Sequence, residues 1–592
     1  MNKTQNILQL LSSLWRHINR RRRKQFGFLL FLVILASFAE VVSIGAVIPF
    51  LGILTAPDKV FEHAAAQPLI DIFGFTEPTQ LLMPLAISFG VAAIVAGLMR
   101  LLVLWIITRI SYATGADFSI SIYRRTLYQP YDVHANRNSS EVISGILSKA
   151  NGVISSVIMP TLTIISSFIM LSLIMVALFT IDPLIALVVF AGFGSIYIFI
   201  IWLTRNQLLK DGQRIALEST QVVKSLQEGL GGIRDVLIDG SQEAYCRVYR
   251  NADYALRRAQ GSNTFIGQSP RFVMEALGML LIAILAYTLT QQEDGIAKAI
   301  PILGALALGA QRLLPVLQQA YAAWSSIQGG RVSLQDTLVL LEQELPDYAE
   351  QPVNSLLPFK DKISLNQLSF RYSKRSPWVL KNLNLNISKG SRVGFIGTTG
   401  SGKSTLIDIV MGLLQPSGGT FEVDGKLIDT GNHRAWQMHI AHVPQAIYLA
   451  DSSIEENIAF GVPKEQIDHQ RVRHAASQAQ ISSIIDTWSE QYETIVGERG
   501  VRLSGGQCQR IGIARALYKR ADVIVFDEAT SALDVETEQA VMQAIENLSE
   551  NLTILIIAHR ITTLKNCTQI VELGNGVIKR TGTYQEIVNQ TV

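Results

Sequence analysis

Long, nearly uninterrupted apolar runs dominate the first half of the chain. One such run would also suit a buried helix of a soluble protein, but repeated runs in one half of a chain favour membrane spans. Six of the runs reach the ~20 residues that an α-helix needs to cross the hydrocarbon layer. They lie at about 27–54, 82–110, 154–180, 182–204, 270–291 and 296–323. The pattern therefore predicts a membrane α-helical bundle of six transmembrane helices.

The loops between these runs differ in charge. Lys and Arg cluster before the first run, between the second and third, and between the fourth and fifth, whereas the connections at 181–183 and 291–295 carry none. Basic residues mark the cytoplasmic side of a membrane protein. We therefore expect a multi-pass protein with both termini in the cytoplasm. The membrane that we expect it to occupy is the plasma membrane, which in a bacterium is the inner membrane.

Three of the connecting segments are long. Segments 111–153 and 205–269 are compatible with helix, so we expect them to extend the membrane helices into the cytoplasm. The external segment 57–79 mixes apolar and polar residues. It fits either a short amphipathic helix at the membrane surface or an ordinary structured loop.

The second half of the chain has a different pattern. A polar, proline-containing stretch near residue 345 precedes short strand-like and helix-like segments that are separated by glycine turns. We therefore predict a transmembrane domain at 1–345 and an α/β domain at 346–592.

Only 17% of the 592 residues are charged, against ~25% in soluble domains. A net charge of +3 gives no reason to expect nucleic acid as a partner. Three scattered cysteines are too few for a disulfide framework or a zinc site.

A glycine-rich segment between a strand-like run and a helix-like run gives the strongest chemical signal. It fits the pattern G-x-x-x-x-G-K-[ST] of a phosphate-binding loop. Glycine lets backbone N–H groups close on phosphate oxygens, Lys403 supplies positive charge, and the Ser404 hydroxyl suits Mg²⁺. The residues expected to contact a nucleotide are Gly397, Thr398, Thr399, Gly400, Ser401, Gly402, Lys403, Ser404 and Thr405.

The run 523–526 is typical of a buried strand, and it ends at Asp527 and Glu528. Asp527 is suited to hold Mg²⁺, and Glu528 is suited to activate the attacking water. A strand that ends in two carboxylates is by itself as often structural as functional, but it gains weight beside a complete phosphate loop. We therefore predict an α/β P-loop ATPase domain after the membrane bundle.

Residues 503–507, with the sequence Leu-Ser-Gly-Gly-Gln, resemble the signature of ATP-binding cassette (ABC) proteins, and further family motifs follow in order over about 360–585. The resemblance implies that Tyr372 stacks on adenine, Gln445 links the nucleotide to the membrane domain, and His559 contacts the γ-phosphate. It also implies that Asp534 lies at a dimer interface. The signature residues expected at the nucleotide are Ser504, Gly505, Gly506 and Gln507.

The order of six runs followed by one cassette resembles the half-transporter form of ABC exporters. That resemblance implies ATP and Mg²⁺ as cofactors and a homodimer, because the signature of one copy closes over the nucleotide on the other. The catalytic residues would be Glu528, His559 and Gln445. The metal would be held by Ser404, Gln445 and Asp527.

Charged residues inside the apolar runs are the best internal clue to the substrate, because ionisable groups are costly in hydrocarbon. Arg100 and Arg312 lie deep in the second and sixth runs, and Arg271 lies near the start of the fifth. Arginine suits phosphate recognition, so a basic cavity for an anionic substrate is one interpretation. The alternative is that these arginines pair with Glu40 or Glu275, or reach a membrane surface.

Residues 40–50 and 309–315 resemble the lipid-linked oligosaccharide flippases of protein glycosylation, the PglK type. This resemblance implies that ATP drives a polyprenyl-pyrophosphate oligosaccharide, or a related glycolipid, across the membrane. It places Arg100, Arg271 and Arg312 at the pyrophosphate. The main alternative is an exporter of amphipathic drugs or lipids. A nucleotide-gated channel or regulator without turnover is a further alternative, against which Glu528 and the unbroken signature argue.

Overall fold

The computed structural model divides the chain into two compact units. The first comprises residues 1–129 and 137–345, and the second comprises residues 130–136 and 346–592. The structure describes residues 6–589 except 56, 63–66, 68–69, 72–73, 182, 291–294, 350–356, 529–535, 537, 540–542, 544–551 and 559–560.

The first unit is built from helices. A 3₁₀ turn at Pro78–Leu81 leads into α4, and π-helical turns at Gly145–Lys149 and Ile154–Ile158 join α6, α7 and α8. The helices up to residue 341 are α1 (Ile7–His17), α2 (Arg20–Thr55), α3 (Pro57–Phe61), α4 (Leu82–Leu127), α5 (Tyr131–Asn136), α6 (Ser139–Ser144), α7 (Ala150–Val153), α8 (Met159–Ile181), α9 (Pro183–Gly231), α10 (Ile233–Ile238), α11 (Gln242–Gln268), α12 (Pro270–Thr290) and α13 (Gly295–Leu341). Of these, α5 belongs to the second unit.

The six apolar runs fall on α2, α4, α8 with the π-helical turn before it, α9, α12 and α13. Residues 182 and 291 of the runs lie outside the described part of the chain. Among the described residues, Arg20–Leu54, Pro78–Leu127 and Ser139–Val176 are long and apolar enough to cross a membrane. The helices α4, α9 and α13 have 46, 49 and 47 residues. Each is therefore ~70 Å long, well beyond the ~30 Å hydrocarbon layer.

Apolar faces and small residues hold this unit together. The helical repeat of α1 places Leu10 and Leu14 on one face, and both are buried in a cluster that includes Leu338 of α13. The helices α9 and α13 approach each other closely, since a Cβ on Gly212 would lie 2.4 Å from the carbonyl oxygen of Gly329. The two helix backbones can come this close because neither glycine carries a side chain.

Part of the external segment 57–79 is described. Val60 and Phe61 of α3 pack against Ile53, Ile70 and Leu81 in a small apolar cluster. Residues 63–66, 68–69 and 72–73 lie outside the described part of the chain. The two alternatives for the whole segment, an amphipathic helix or a structured loop, depend on residues that lie outside the described part of the chain.

The described residues of the second unit form two sheets with helices around them. Its strands are β1 (Lys362–Phe370), β2 (Leu380–Ser388), β3 (Arg392–Gly397), β4 (Gly418–Val423), β5 (Lys426–Leu427), β6 (Ile440–Val443), β7 (Val523–Asp527), β8 (Thr553–Ile557), β9 (Gln569–Gly574) and β10 (Val577–Gly582). Its described helices after α5 are α14 (Lys403–Val410), α15 (His433–Gln437), α16 (Ile454–Ile458), α17 (His469–Gln478), α18 (Ser482–Ile485), α19 (Gly505–Lys519) and α20 (Tyr584–Asn589).

The larger sheet positions the site. The strand orders are β2-β1-β4-β5 in the smaller sheet and β10-β9-β3-β8-β7-β6 in the larger one. All strands of the larger sheet except β10 are parallel, and parallel strands are usually buried on both faces. In β7, Val523 and Val525 join one apolar cluster while Ile524 and Phe526 join another. The carboxyl ends of these strands share one edge, where open α/β sheets bind their ligands.

Candidate functional site

The loop between β3 and α14 requires glycine at its first residue. Gly397 has a φ of +147°, and a Cβ there would lie 2.2 Å from the carbonyl oxygen of Leu573. Gly402, with a φ of +101°, precedes α14. Residues 398–400 and Ser404 are exposed. A glycine-rich turn that runs into a helix N-terminus is an arrangement that attracts anions.

Two polar side chains are enclosed by this loop. Lys403 is 7% exposed, and its Nζ donates to the carbonyl oxygens of Gly397 (2.8 Å) and Thr398 (3.2 Å). Ser401 is buried, and its Oγ has no hydrogen-bond partner among the described residues. A buried ammonium group and a buried hydroxyl without a partner, beside exposed backbone, fit a phosphate group. The residues present therefore fit the phosphates of a nucleotide.

Tyr372 lies beside the first turn of α14. Its hydroxyl is 3.1 Å from Oγ1 of Thr405, and its ring meets the ring of Phe370 edge to face at 5.0 Å. About half of the Tyr372 side chain is exposed, so ring surface remains for stacking on a base. Tyr131 of α5 belongs to the same unit, and burial, the Asp408 carboxylate and Tyr372 raise the pKa of its hydroxyl.

The strands β6 and β7 bring Gln445 and Glu528 together. The strands pair in parallel with Val443 opposite Phe526, and each of the two polar residues follows two positions later. The Nε2 of Gln445 donates to Oε2 of Glu528 at 2.8 Å. Glu528 has a φ of +50°, and its N–H donates to the carbonyl oxygen of Ile557 in β8 at 3.1 Å. The backbone of Glu528 is thereby fixed at the carboxyl end of β7.

Asp527 and Asp408 form the acidic part of the site. Asp527 ends β7 opposite Ile557, and burial, followed by the negative charge of Asp527, raises the pKa of Asp408 to about 6. Ser404 precedes Asp408 by one turn of α14, on the same face. Hydroxyl and carboxylate oxygens suit Mg²⁺. In the part of the chain that the structure describes, no group of three or more His, Cys, Asp or Glu residues is placed to hold a metal. Ser404 and Asp527 would suit an ion that also contacts nucleotide oxygens.

The signature residues cap α19. The Oγ of Ser504 accepts from the N–H of Gln507 (3.3 Å), and Oε1 of Gln507 accepts from the N–H of Ser504 (2.8 Å). This reciprocal pair is a capping box. Gly505 and Gly506 begin the 15-residue helix, and Ser504 and Gly505 are exposed. The signature therefore presents a helix N-terminus without bulky side chains, which suits a phosphate group.

Contacts that the sequence motifs do not predict hold the loop after β6 and the following helix α16 against α19. Arg515 donates from Nε to the carbonyl oxygen of Asn457 (2.9 Å) and from Nη1 to that of Tyr448 (3.0 Å). Burial lowers the pKa of Arg515 to about 10. A Cβ on Gly512 would lie 2.2 Å from Cδ1 of Ile447. The loop that carries Gln445 is thus fastened to the helix that the signature opens.

The candidate substrate arginines lie on α4, α12 and α13. The Nε of Arg100 is 3.2 Å from Oε2 of Glu40 in α2, and the Nε of Arg271 is 2.8 Å from Oε1 of Glu275 in α12. The pairing alternative therefore describes both arginines, although the Arg100 side chain remains 53% exposed. The Arg312 side chain is outside the described part of the chain.

Two predicted nucleotide contacts, Asp534 and His559, also lie outside the described residues. The strand β8 ends at Ile557, two residues before His559 and opposite Asp527.

Comparisons with known proteins agree with this arrangement. The family model "ABC transporter" matches residues 380–531, and "ABC transporter transmembrane region" matches residues 26–294. The ATP-dependent lipid A-core flippase of Thiobacillus denitrificans is 30% identical over 411 residues, 68% of this chain and 69% of that protein. The flippase of the same name from Cupriavidus metallidurans is 26% identical over 550 residues, 91% of this chain and 90% of that protein. A solved structure of a bacterial Atm1-family ABC exporter with ATP bound shares the fold, with a TM-score of 0.78, 21% identity and 97% of each chain covered.

The site and the order of the domains thus define a membrane transporter with a nucleotide-binding cassette, and the chain belongs to the ABC transporter family. Within that family it has the fold of an exporter half-transporter, in which the cassette drives transport with ATP.

Proposed function

We propose that this protein is an ATP-driven flippase for a lipid-linked anionic oligosaccharide or a related glycolipid. The observation that carries the proposal is the relationship to a lipid A-core flippase over 91% of this chain, which includes the membrane half. The half-exposed Arg100 within a span adds a group that suits a phosphorylated headgroup. The transporter works in the bacterial inner membrane, with both termini and the cassette in the cytoplasm.

The geometry of the described residues supports the roles that we propose in the cassette, and the role of His559 rests on the sequence motif alone. Lys403 and the surrounding loop hold the β- and γ-phosphates of ATP, and Tyr372 stacks on adenine. Ser404, Gln445 and Asp527 hold Mg²⁺, which neutralises charge on the phosphates. Glu528 accepts the proton of the attacking water, and the 2.8 Å contact with Gln445 orients its carboxylate. His559 contacts the γ-phosphate.

We further propose a homodimer. Each chain carries one phosphate loop at α14 and one signature at α19. In this arrangement Ser504, Gly505, Gly506 and Gln507 of one copy close over the γ-phosphate held by the other, and Asp534 lies at the interface. Both sites of such a dimer keep Glu528, so both hydrolyse ATP.

The proposal is tested by reconstituting the full-length protein in liposomes. ATPase activity is measured with and without a polyprenyl-pyrophosphate oligosaccharide, and loss of that lipid from one leaflet is followed in parallel. We expect the lipid to stimulate hydrolysis and to cross the membrane only with ATP present. Turnover without any response to the lipid would refute the flippase and retain the ABC exporter.

One observation favours a second candidate, an exporter of amphipathic drugs or lipids. Arg100 and Arg271 both have carboxylate partners, which reduces the net positive charge available to an anion. The same liposomes distinguish this candidate, because an uncharged amphipathic probe would then stimulate ATPase activity at least as well as the anionic lipid.

A further inference from the structure

Glu40 and Arg100 form an ion pair between two spanning helices, α2 and α4. The Nε of Arg100 lies 3.2 Å from Oε2 of Glu40. The partners differ greatly in exposure, because the Glu40 side chain is 1% exposed and the Arg100 side chain is 53% exposed. The carboxylate is fixed inside the helix interface, whereas the guanidinium keeps about half of its surface for other contacts.

The surroundings of Glu40 make it a fixed group. Ser37 and Ser43, one turn before and one turn after Glu40, are also buried, so this face of α2 carries a short buried polar stripe. A buried carboxylate is costly unless a cation stays beside it. Glu40 is therefore expected to remain beside Arg100 when a second anion approaches the exposed side of the guanidinium.

We propose that Glu40 is a positioning residue that sets how tightly Arg100 holds an anionic lipid headgroup, a role that rests on the flippase function proposed above. The guanidinium group of Arg100 keeps its Nε–H directed at Glu40, and its remaining N–H groups donate to the phosphate. The negative charge of Glu40 lies close enough to repel that phosphate. A transporter benefits from such weakening, since a substrate must bind well enough to enter and weakly enough to leave.

The ion pair between Arg271 and Glu275 is more exposed than the pair between Arg100 and Glu40. Arg271 and Glu275 lie one turn apart on α12, with 60% and 40% of their side chains exposed. Ion pairs between exposed groups are weak, because solvent screens both charges. We therefore expect the charge of Glu275 to have much less influence on anion binding than the buried charge of Glu40.

The test measures lipid binding to the full-length protein in nanodiscs, with undecaprenyl pyrophosphate as the anionic probe and a fluorescent phosphatidylcholine as the zwitterionic one. Glu40→Gln removes the charge and keeps the size of the side chain. We expect it to increase affinity for the lipid pyrophosphate about tenfold and to leave the zwitterionic lipid unaffected. The gain should vanish in an Arg100→Gln background, because Glu40 acts through Arg100.

Asp117→Asn is the matched control. Asp117 of α4 pairs with Arg22 of α2 at 2.9 Å, so this variant removes an ion pair between the same two helices. A looser contact between α2 and α4 would alter lipid binding in both variants, whereas the proposal expects a change in Glu40→Gln alone. Unchanged or weaker binding by Glu40→Gln, or the same gain without Arg100, would overturn the proposal.

The flippase function is judged separately, by ATP-dependent movement of the same lipid in the wild-type protein. Flipping by the wild type without an affinity gain in Glu40→Gln would refute the role of Glu40 alone. The gain in affinity without flipping would refute the flippase and retain Glu40 as part of an anion site. Absence of binding in the wild type and in Glu40→Gln would refute both.

Discussion

Glu528 shows how much of the proposed chemistry depends on one residue. Its backbone lies in the left-handed region at a φ of +50°, which costs a residue with a side chain ~1–2 kcal/mol. Its position is fixed by the hydrogen bond to Ile557, and its carboxylate accepts from Gln445. Backbone strain of this kind occurs mainly at functional sites, where contacts with the surrounding structure maintain it.

We expect Glu528→Gln to bind ATP and to lose hydrolysis by at least ~100-fold, because an amide cannot accept the proton of the attacking water. Phosphate release and nucleotide binding are measured on the purified protein. Glu465→Gln, an exposed acid in the same unit, should leave both unchanged. Hydrolysis near the wild-type rate in Glu528→Gln would mean that another group activates the water.

Gly397 and Gly400 separate two reasons for glycine in the phosphate loop. Both have positive φ, but a Cβ on Gly397 would collide with Leu573, whereas a Cβ on Gly400 would meet nothing within 4 Å. We expect Gly397→Ala to abolish nucleotide binding and to lower the thermal unfolding midpoint. Gly400→Ala should lower the free energy of unfolding by only ~1 kcal/mol, because alanine is disfavoured at the positive φ of this position. Equal losses in the two variants would show that backbone conformation, and not the collision, limits the loop.

At the scale of elements, α19 connects the two halves of the nucleotide chemistry. The signature opens this helix, and Arg515 near its other end donates to two carbonyl oxygens, that of Tyr448 in the loop after β6 and that of Asn457 in α16. Arg515→Lys keeps the charge but loses the planar fork. We expect ATPase activity to fall ~3–10-fold with nucleotide binding retained, since each lost hydrogen bond is worth ~1 kcal/mol.

The matched control for this variant is Arg502→Lys. Arg502 is exposed, and its Nη1 lies 3.4 Å from the carbonyl oxygen of Ile495, so its replacement should leave ATPase activity within the error of the assay. Equal ATPase activities of Arg515→Lys and the wild type would show that the loop keeps its position without the guanidinium group of Arg515.

The distance between partners along the sequence decides which of these features could be predicted. The phosphate loop was predictable because its glycines, Lys403 and Ser404 act within one short segment. Arg515 was not, because its partners lie 58 and 67 residues earlier and meet it only when α19 packs on the loop. The pairing of Arg100 was one of two sequence alternatives, and the packing of α2 on α4 favours Glu40 as its partner.

At the scale of the whole molecule, two local signals predicted the order of the parts. Apolar runs of membrane length occur in the first half, where the structure has long helices, and the cassette motifs occur in the second. Substrate identity was not predictable in this way, because it depends on which side chains of different helices face the same space. The number of chains in one working transporter has a direct test, because the phosphate loop and the signature are separate elements of each chain.

That test combines two defective chains. Lys403→Ala impairs the phosphate loop, and Ser504→Arg blocks the signature, so homodimers of either variant should lack ATPase activity. In a mixed dimer, the intact loop of one chain meets the intact signature of the other, which restores one complete site. We therefore expect purified mixed dimers, isolated with two affinity tags, to recover up to about half of the wild-type ATPase rate, well above the ~100-fold losses expected for the homodimers. If each chain formed its own complete site, both chains would remain defective and mixing would restore nothing.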